Sequence, residues 1–241
     1  MTGFEWLLAS VVLVFCAIVQ GSIGFGVGLI GAPLLYLINP ALVPAPVIIV
    51  GMVLPALIVA RDWRHVHGAD VAWALPGTLL GTGLGSIVIG ILSADGLALL
   101  FGTMVLFAVA MSIVGVTPRP TPRVILTGGG LSGFMATTTA IGGPPLALVF
   151  QHLRGPRLRG TLSAIFFPGG ILALAGLYWA GRFGERELLA GLSLLPAIAL
   201  GFALSGRVAR WLDRRWLRPA ILLLSTGAAL VAITRAASNL G

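Results

Sequence analysis

Residues 132–145 read SGFMATTTAIGGPP and lie inside apolar sequence, with VILTGGGL before them and LALVF after. Clustered glycines and the paired Pro144 and Pro145 oppose a continuous helix. Backbone that leaves the helix at membrane depth is tolerated only where it is buried in protein or lines a cavity. A second stretch, QGSIGFGVGLIGAP at 20–33, has the same character. The two segments are expected to face each other near the bilayer midplane and form a binding site. The rest of the chain is then the frame that holds them.

The membrane setting follows from composition. Apolar residues make up 58%, charged residues 9%, and mean hydropathy is +1.05, against about 25% charged residues in soluble domains. The acids Glu5, Asp62, Asp70, Asp95, Glu185, Glu187 and Asp213 sit between apolar runs or at their ends, as the cost of burying charge in hydrocarbon demands. The net charge of +8 comes from arginine alone, with no lysine. Arginines in short loops are a topology signal and give no reason to expect nucleic acid as a partner. The lone Cys16 allows no intrachain disulfide or cysteine metal site. The first residues lack a basic n-region and are read as a retained membrane segment.

Apolar runs fall at about 4–38, 44–60, 71–92, 96–116, 124–150, 161–181, 188–206 and 219–236. Loops 61–70, 117–123, 151–160 and 207–218 carry 12 of the 15 arginines, which assigns them to the cytoplasm and the protein to a bacterial inner membrane. Run 124–150 therefore starts and ends on one side. Its 27 residues are too few for two spans of about 20, so a re-entrant hairpin is expected. The 35 residues of 4–38 allow either two short tilted helices or a deeper hairpin, and by analogy are read as a hairpin. The expected fold is an all-α polytopic membrane protein. A first repeat (1–116: hairpin 4–38, helices 44–60, 71–92 and 96–116) is followed by a cytoplasmic linker, 117–123. A second, inverted repeat covers 124–241 (hairpin 124–150, helices 161–181, 188–206 and 219–236).

Internal matches point the same way. Gly24-Phe25 matches Gly133-Phe134, and Gly31-x-Pro33-Leu34 matches Gly143-x-Pro145-Leu146. Pro55 matches Pro168, while Leu75-Pro76, Leu80-Gly81 and Leu84 match Leu195-Pro196, Leu200-Gly201 and Leu204. A hairpin plus three spans crosses the membrane an odd number of times, so duplication inverts the second copy. Inverted repeats with broken helices at the midplane are an architecture of secondary transporters.

GSIGFGVGLIGAPLL at 21–35 and GFMATTTAIGGPPLALVF at 133–150, in a chain of this length, resemble the TauE/SafE family of exporters of sulfite and organosulfonates and related permeases. The resemblance spans essentially the whole chain. It implies transport of a small sulfur-containing oxyanion, sulfite or an organosulfonate, in the exporting direction. No motif in it fixes the substrate.

In each hairpin the second arm is expected to run outward, aiming its N-terminus at the centre, where free N–H groups and the helix dipole favour an anion. Gln20, Ser22, Thr137, Thr138 and Thr139 offer neutral donors, Thr138 and Thr139 being preferred. Gly24, Gly26, Gly142 and Gly143 let an oxyanion approach the backbone, with Phe25 and Pro144 beside them. The competing reading of the threonines is that their hydroxyls satisfy local backbone carbonyls. Gly77, Gly81 and Gly85 form a small-xxx-small face for helix packing. Pro55, Pro76, Pro168 and Pro196 are read as kinks. His65 and His67 share a loop with Asp62 and Asp70, read as solvated and charge-balanced. His152 and the tryptophans at 6, 63, 73, 179, 211 and 216 fall near run ends, as an interfacial belt does.

No run holds Asp, Glu, Lys or His away from its ends, and no phosphate-binding loop of the GxxxxGK[ST] type occurs. Transport is therefore passive or secondarily coupled, and neither cofactor nor metal is called for. The expected partners are a small anionic substrate and the lipid bilayer, with a homodimer left open. An anion channel on the same architecture is the main rival. An intramembrane enzyme lacks a nucleophile–base pair at membrane depth. A scaffold subunit without flux of its own completes the alternatives.

Overall fold

The computed structural model describes residues 2–23, 27–113, 118–208, 222–223 and 225–234, without the side chains of 21–23, 27 and 206–208. Gly24, Phe25 and Gly26 lie outside the described residues, as do Trp211 and Trp216, and so does the side chain of Ser22. Among the described residues every regular element is helical. Among the described residues six helical stretches, one of them Glu185–Ser205, are long and apolar enough to cross a membrane, and the chain is a multi-pass membrane protein.

Helix α1 (Gly3–Ile23) is followed by a π-helical turn, Val27–Gly31, and a seven-residue α2 (Ala32–Ile38). The amide Nδ2 of Asn39, just beyond α2, donates to Glu5 Oε2 at 3.2 Å near the start of α1. The chain therefore leaves this hairpin at the end where it entered, through a return arm well short of the roughly 20 residues of a span. Long helices follow: α3 (Ala45–Asp62), α4 (Gly68–Ile91) and α5 (Ala94–Ile113).

The second hairpin is α6 (Pro122–Thr139) and α7 (Gly143–Val149). Thr121 caps α6, its side chain accepting the Val124 N–H, and Pro122 opens the first turn where its missing N–H costs nothing. Ser132 to Thr139 remain regular helix, contrary to the broad break expected there. The break is confined to Ala140–Gly142, with Ala140 in the left-handed region at φ 61°. Each threonine of 137–139 bonds a carbonyl of its own helix, which keeps a poor helix former inside α6. Helix α7 doubles back along α6: Ser132 Oγ donates to the Gly142 carbonyl at 2.6 Å, and a Cβ on Gly128 would lie 2.8 Å from Val149 Cγ2.

Helix α8 (Gly155–Trp179) starts six residues before the expected 161, because Pro156 sits in its first turn and the arginine-rich loop winds into it. The helix expected at 188–206 is two, α9 (Glu185–Ser193) and α10 (Leu195–Val208), with a turn at Leu194. Pro196 has no N–H for the Leu192 carbonyl, so the ladder stops and restarts there. Pro55, Pro76 and Pro168 stay inside helices. A last described helix, α11 (Ser225–Thr234), covers part of the expected 219–236.

Helix α4 packs along α6, α10 along α1, and α3 on α8. The α4–α6 contact is the closest. A Cβ on Gly77 would overlap the Leu126 carbonyl, and one on Gly81 the Gly130 carbonyl. Small residues let membrane helices approach this closely. The opposite face of α4 carries the exposed Leu80, Leu84, Ile87 and Ile91, suited to lipid.

One end of the bundle gathers the arginine-bearing segments that are described, 61–70, 118–123 and 151–160. There Asp62 pairs with Arg61 at 3.0 Å and with Arg159 at 3.8 Å, and the His67 N–H bonds Thr161 Oγ1. The far end holds Glu5, Asn39, Ser193 and Arg182, whose guanidinium donates to the Leu92 carbonyl at 3.2 Å.

Candidate functional site

Both hairpin turns end in the middle of the bundle, and a cavity of about 120 Å³ lies between them. One water needs roughly 10–15 Å³, so the space admits a small solute with part of its hydration. The first hairpin contributes Gln20, Gly28 and Leu29; the second contributes Ser132, Ala136, Gly142, Gly143 and Pro144. Helices α3 and α8 close the sides with Gly51, Met52, Pro55, Phe166, Gly169 and Gly170, and α4 adds Thr78. Among the described residues no charged side chain lines it.

Of the residues singled out in the sequence, Gln20, Gly142, Gly143 and Pro144 are brought together here. The threonines lie elsewhere. Thr137 and Thr139 are fully buried, donating to the Gly133 carbonyl at 2.8 Å and the Met135 carbonyl at 2.7 Å. Thr138 donates to Phe134 at 2.9 Å and lines a separate, outer cavity.

The chemistry of the lining follows from its hydrogen bonds. Ser132 Oγ–H is committed to Gly142 and Thr78 Oγ–H to the Ala74 carbonyl at 3.0 Å. Both hydroxyl oxygens therefore offer lone pairs and no proton to the cavity. Pro55 supplies no N–H for the Gly51 carbonyl, and both residues line the space. The remaining polar groups of the lining are the Gln20 side chain and the backbone of the break. Pro144 and Pro145 remove two of the four free N–H groups that a helix start normally presents. The groups left are those of Gly142 and Gly143, fewer than an anion-binding helix start was expected to provide.

Sequence reasoning missed Gly28, Thr78, Ser132, Gly51 and the Gly169-Gly170 pair. A signal existed for some of them: Gly51 precedes Pro55 by one turn, and Gly169-Gly170 follows Pro168 directly. Glycine beside proline in the middle of an apolar run marks a wall that a solute can approach.

A bundle of membrane-spanning helices around two interrupted hairpins, with a small, largely apolar cavity between them that carries a few polar groups, defines a polytopic membrane protein of the solute-carrier kind. The chain belongs to the sulfite exporter TauE/SafE family, whose model matches residues 9–232. It is a membrane transporter and not an enzyme. Comparison with curated proteins finds no match, and comparison with solved structures finds none either.

Proposed function

We propose that the chain is a secondary transporter that exports a small sulfur oxyanion, sulfite or an organosulfonate, by alternating access around the central cavity. The observation that carries this is the meeting of Gln20 and Gly28 from one interrupted hairpin with Ser132, Gly142 and Gly143 from the other around one small space. Amide donors and hydroxyl or carbonyl acceptors occur side by side there, a set suited to an oxyanion that carries a proton. The absence of charge in the lining favours release after binding, which a carrier needs.

The two halves are inverted copies in this proposal. Support comes from packing: α4 of the first half holds the hairpin of the second, α10 of the second holds the hairpin of the first, and α3 pairs with its counterpart α8. The arginine-rich end faces the cytoplasm of a bacterial inner membrane under the positive-inside rule.

The test is thermal stability of detergent-purified protein against sulfite, thiosulfate, taurine, sulfoacetate, sulfate and chloride at matched ionic strength, paired with flux in proteoliposomes. A ligand at 100 times its dissociation constant adds about 2.7 kcal/mol. A selective shift with sulfite or a sulfonate, lost in Gln20→Leu, is the expected result. Flux far above about 10³ per second without exchange of substrate would identify a channel, since alternating access needs slow global motions.

A further inference from the structure

A second cavity, of about 280 Å³, opens at the far end of the bundle. Its mouth is built from exposed residues, among them Pro40, Ala41, Ala94 and Arg182. Its floor is buried: Ala45, Ile89, Phe101 and Thr138. Ala45 and Ile89 belong to an apolar cluster with Ile48, Ala173 and Leu177. Ile48 and Ala173 in turn line the central cavity. One apolar layer thus separates the two spaces, with Ile89 on the outer side and Ile48 on the inner.

The charges at this outer cavity are Arg182 and Glu187. Arg182 spends one guanidinium N–H on the Leu92 carbonyl and has five. Glu187 accepts the Gly184 N–H at 2.9 Å at the start of α9, where the helix dipole offsets its charge. No ion pair joins Arg182 to Glu187 among the described residues.

We propose, on the basis of the transport function above, that this outer cavity is an anion-collecting vestibule on the non-cytoplasmic side. Arg182 is its electrostatic determinant, and the Ile48–Ile89 layer is the barrier that closes the central cavity from it. An apolar constriction of this kind blocks a hydrated anion by excluding water and opens when it wets. The far end of the bundle faces outward because the arginine-rich segments gather at the other.

Thiol labelling in intact cells tests this without reference to transport. In a Cys16→Ala background, Leu97→Cys reports the vestibule wall and Ala136→Cys the central cavity. An anionic ethylsulfonate methanethiosulfonate and its cationic trimethylammonium analogue are applied from outside. Leu97→Cys is expected to react, with the anionic reagent favoured. Arg182→Gln is expected to lower the anionic-to-cationic rate ratio roughly tenfold, the scale of one unit charge acting with opposite sign on two reagents a few ångströms away. Glu187→Gln is expected to raise it.

Ala136→Cys is expected to react from outside far more slowly than Leu97→Cys, because the barrier opens for only part of the cycle, and faster once Ile89→Thr wets it. A Leu97→Cys protein inert from outside yet reactive once solubilised and denatured would overturn the vestibule, as would a ratio indifferent to Arg182→Gln. Outside labelling of Ala136→Cys that is as fast as that of Leu97→Cys with Ile89 intact, and unaffected by Ile89→Thr, would overturn the barrier. These outcomes are read whether or not sulfite moves, so failure of the transport function shows separately, as absent flux with labelling intact.

Discussion

Gly28 and Ala140 touch at the centre of the bundle, one from each hairpin turn. A Cβ on Gly28 would lie 2.5 Å from the Ala140 carbonyl oxygen and 3.5 Å from the Ile141 Cα. The obstacle is backbone in a strained turn, Ala140 having φ 61°, so it cannot swing aside as a flexible side chain would.

Gly28→Ala is therefore expected to push the two turns apart. The predicted cost is about 1–3 kcal/mol, the range for overpacking a tight interior, with loss of most flux. Melting temperature in detergent and sulfite uptake by proteoliposomes are the measurements. An unchanged melting point with full flux would show that the two turns are free to separate.

Gly81 and Gly83 are two residues apart on α4 and have opposite surroundings. A Cβ on Gly81 would overlap the Gly130 carbonyl of α6, whereas one on Gly83 meets nothing within 4 Å. Gly81→Ala should lower stability by about 1–3 kcal/mol or more. Gly83→Ala should raise it by up to about 0.5–1 kcal/mol through helix propensity alone. Comparing the two melting curves tests the α4–α6 contact directly.

Ser132 and Thr139 make hydrogen bonds of similar length with different consequences. Ser132 Oγ holds the Gly142 carbonyl, which lies in the break, at 2.6 Å. Ser132→Ala should cost about 1–2 kcal/mol by leaving that carbonyl unpaired, and flux should fall with it. Thr139 Oγ1 bonds the Met135 carbonyl within α6, which the α-helical ladder can also serve. Thr139→Val should cost less than about 1 kcal/mol and leave flux near its original level. Equal losses in both variants would assign Thr139 a part in the substrate path.

Asp62, with its side chain 10% exposed, lies beside Arg61 and Arg159, which are 60% and 36% exposed. Asp62→Ala removes the carboxylate that faces both guanidinium groups, and with it a tie between α3 and α8. The expected loss is about 1–2 kcal/mol, below the 3–5 of a fully buried pair because water screens the arginines. A melting point that drops in the variant and loses part of its salt dependence would confirm the tie. No drop would mean that the ion pair is incidental.

The membrane class and the hairpin regions were legible because they rest on features local to the chain. Long apolar runs report the solvent, and the glycines and prolines around 20–33 and 140–145 report where helix cannot continue. Gln20 and Gly142–Pro144, singled out for that reason, line the central cavity. The split at Leu194 was harder to see, since Pro196 breaks its helix while Pro55, Pro76 and Pro168, equally central in their runs, do not. Thr78 and Ser132 were illegible because a helical residue faces a cavity only by virtue of the helices packed around it. Thr137–Thr139 show the converse. A polar triplet beside a break reads as a binding site, yet each hydroxyl is turned back on its own helix.

The packing of α10 along α1 bears on how the protein is made. Trp6 Nε1 bonds Ser193 Oγ across 187 residues of chain, and a Cβ on Gly201 would lie 2.5 Å from the Val14 carbonyl. Helix α1 is thus covered by one synthesised long after it. Until α10 arrives, the face of α1 that it covers has only lipid or insertion machinery for company, and the first hairpin has no finished wall to close against. Assembly of the cavity is therefore a late event, and a nascent chain cut short before α10 is left with an unclosed hairpin for quality control to find.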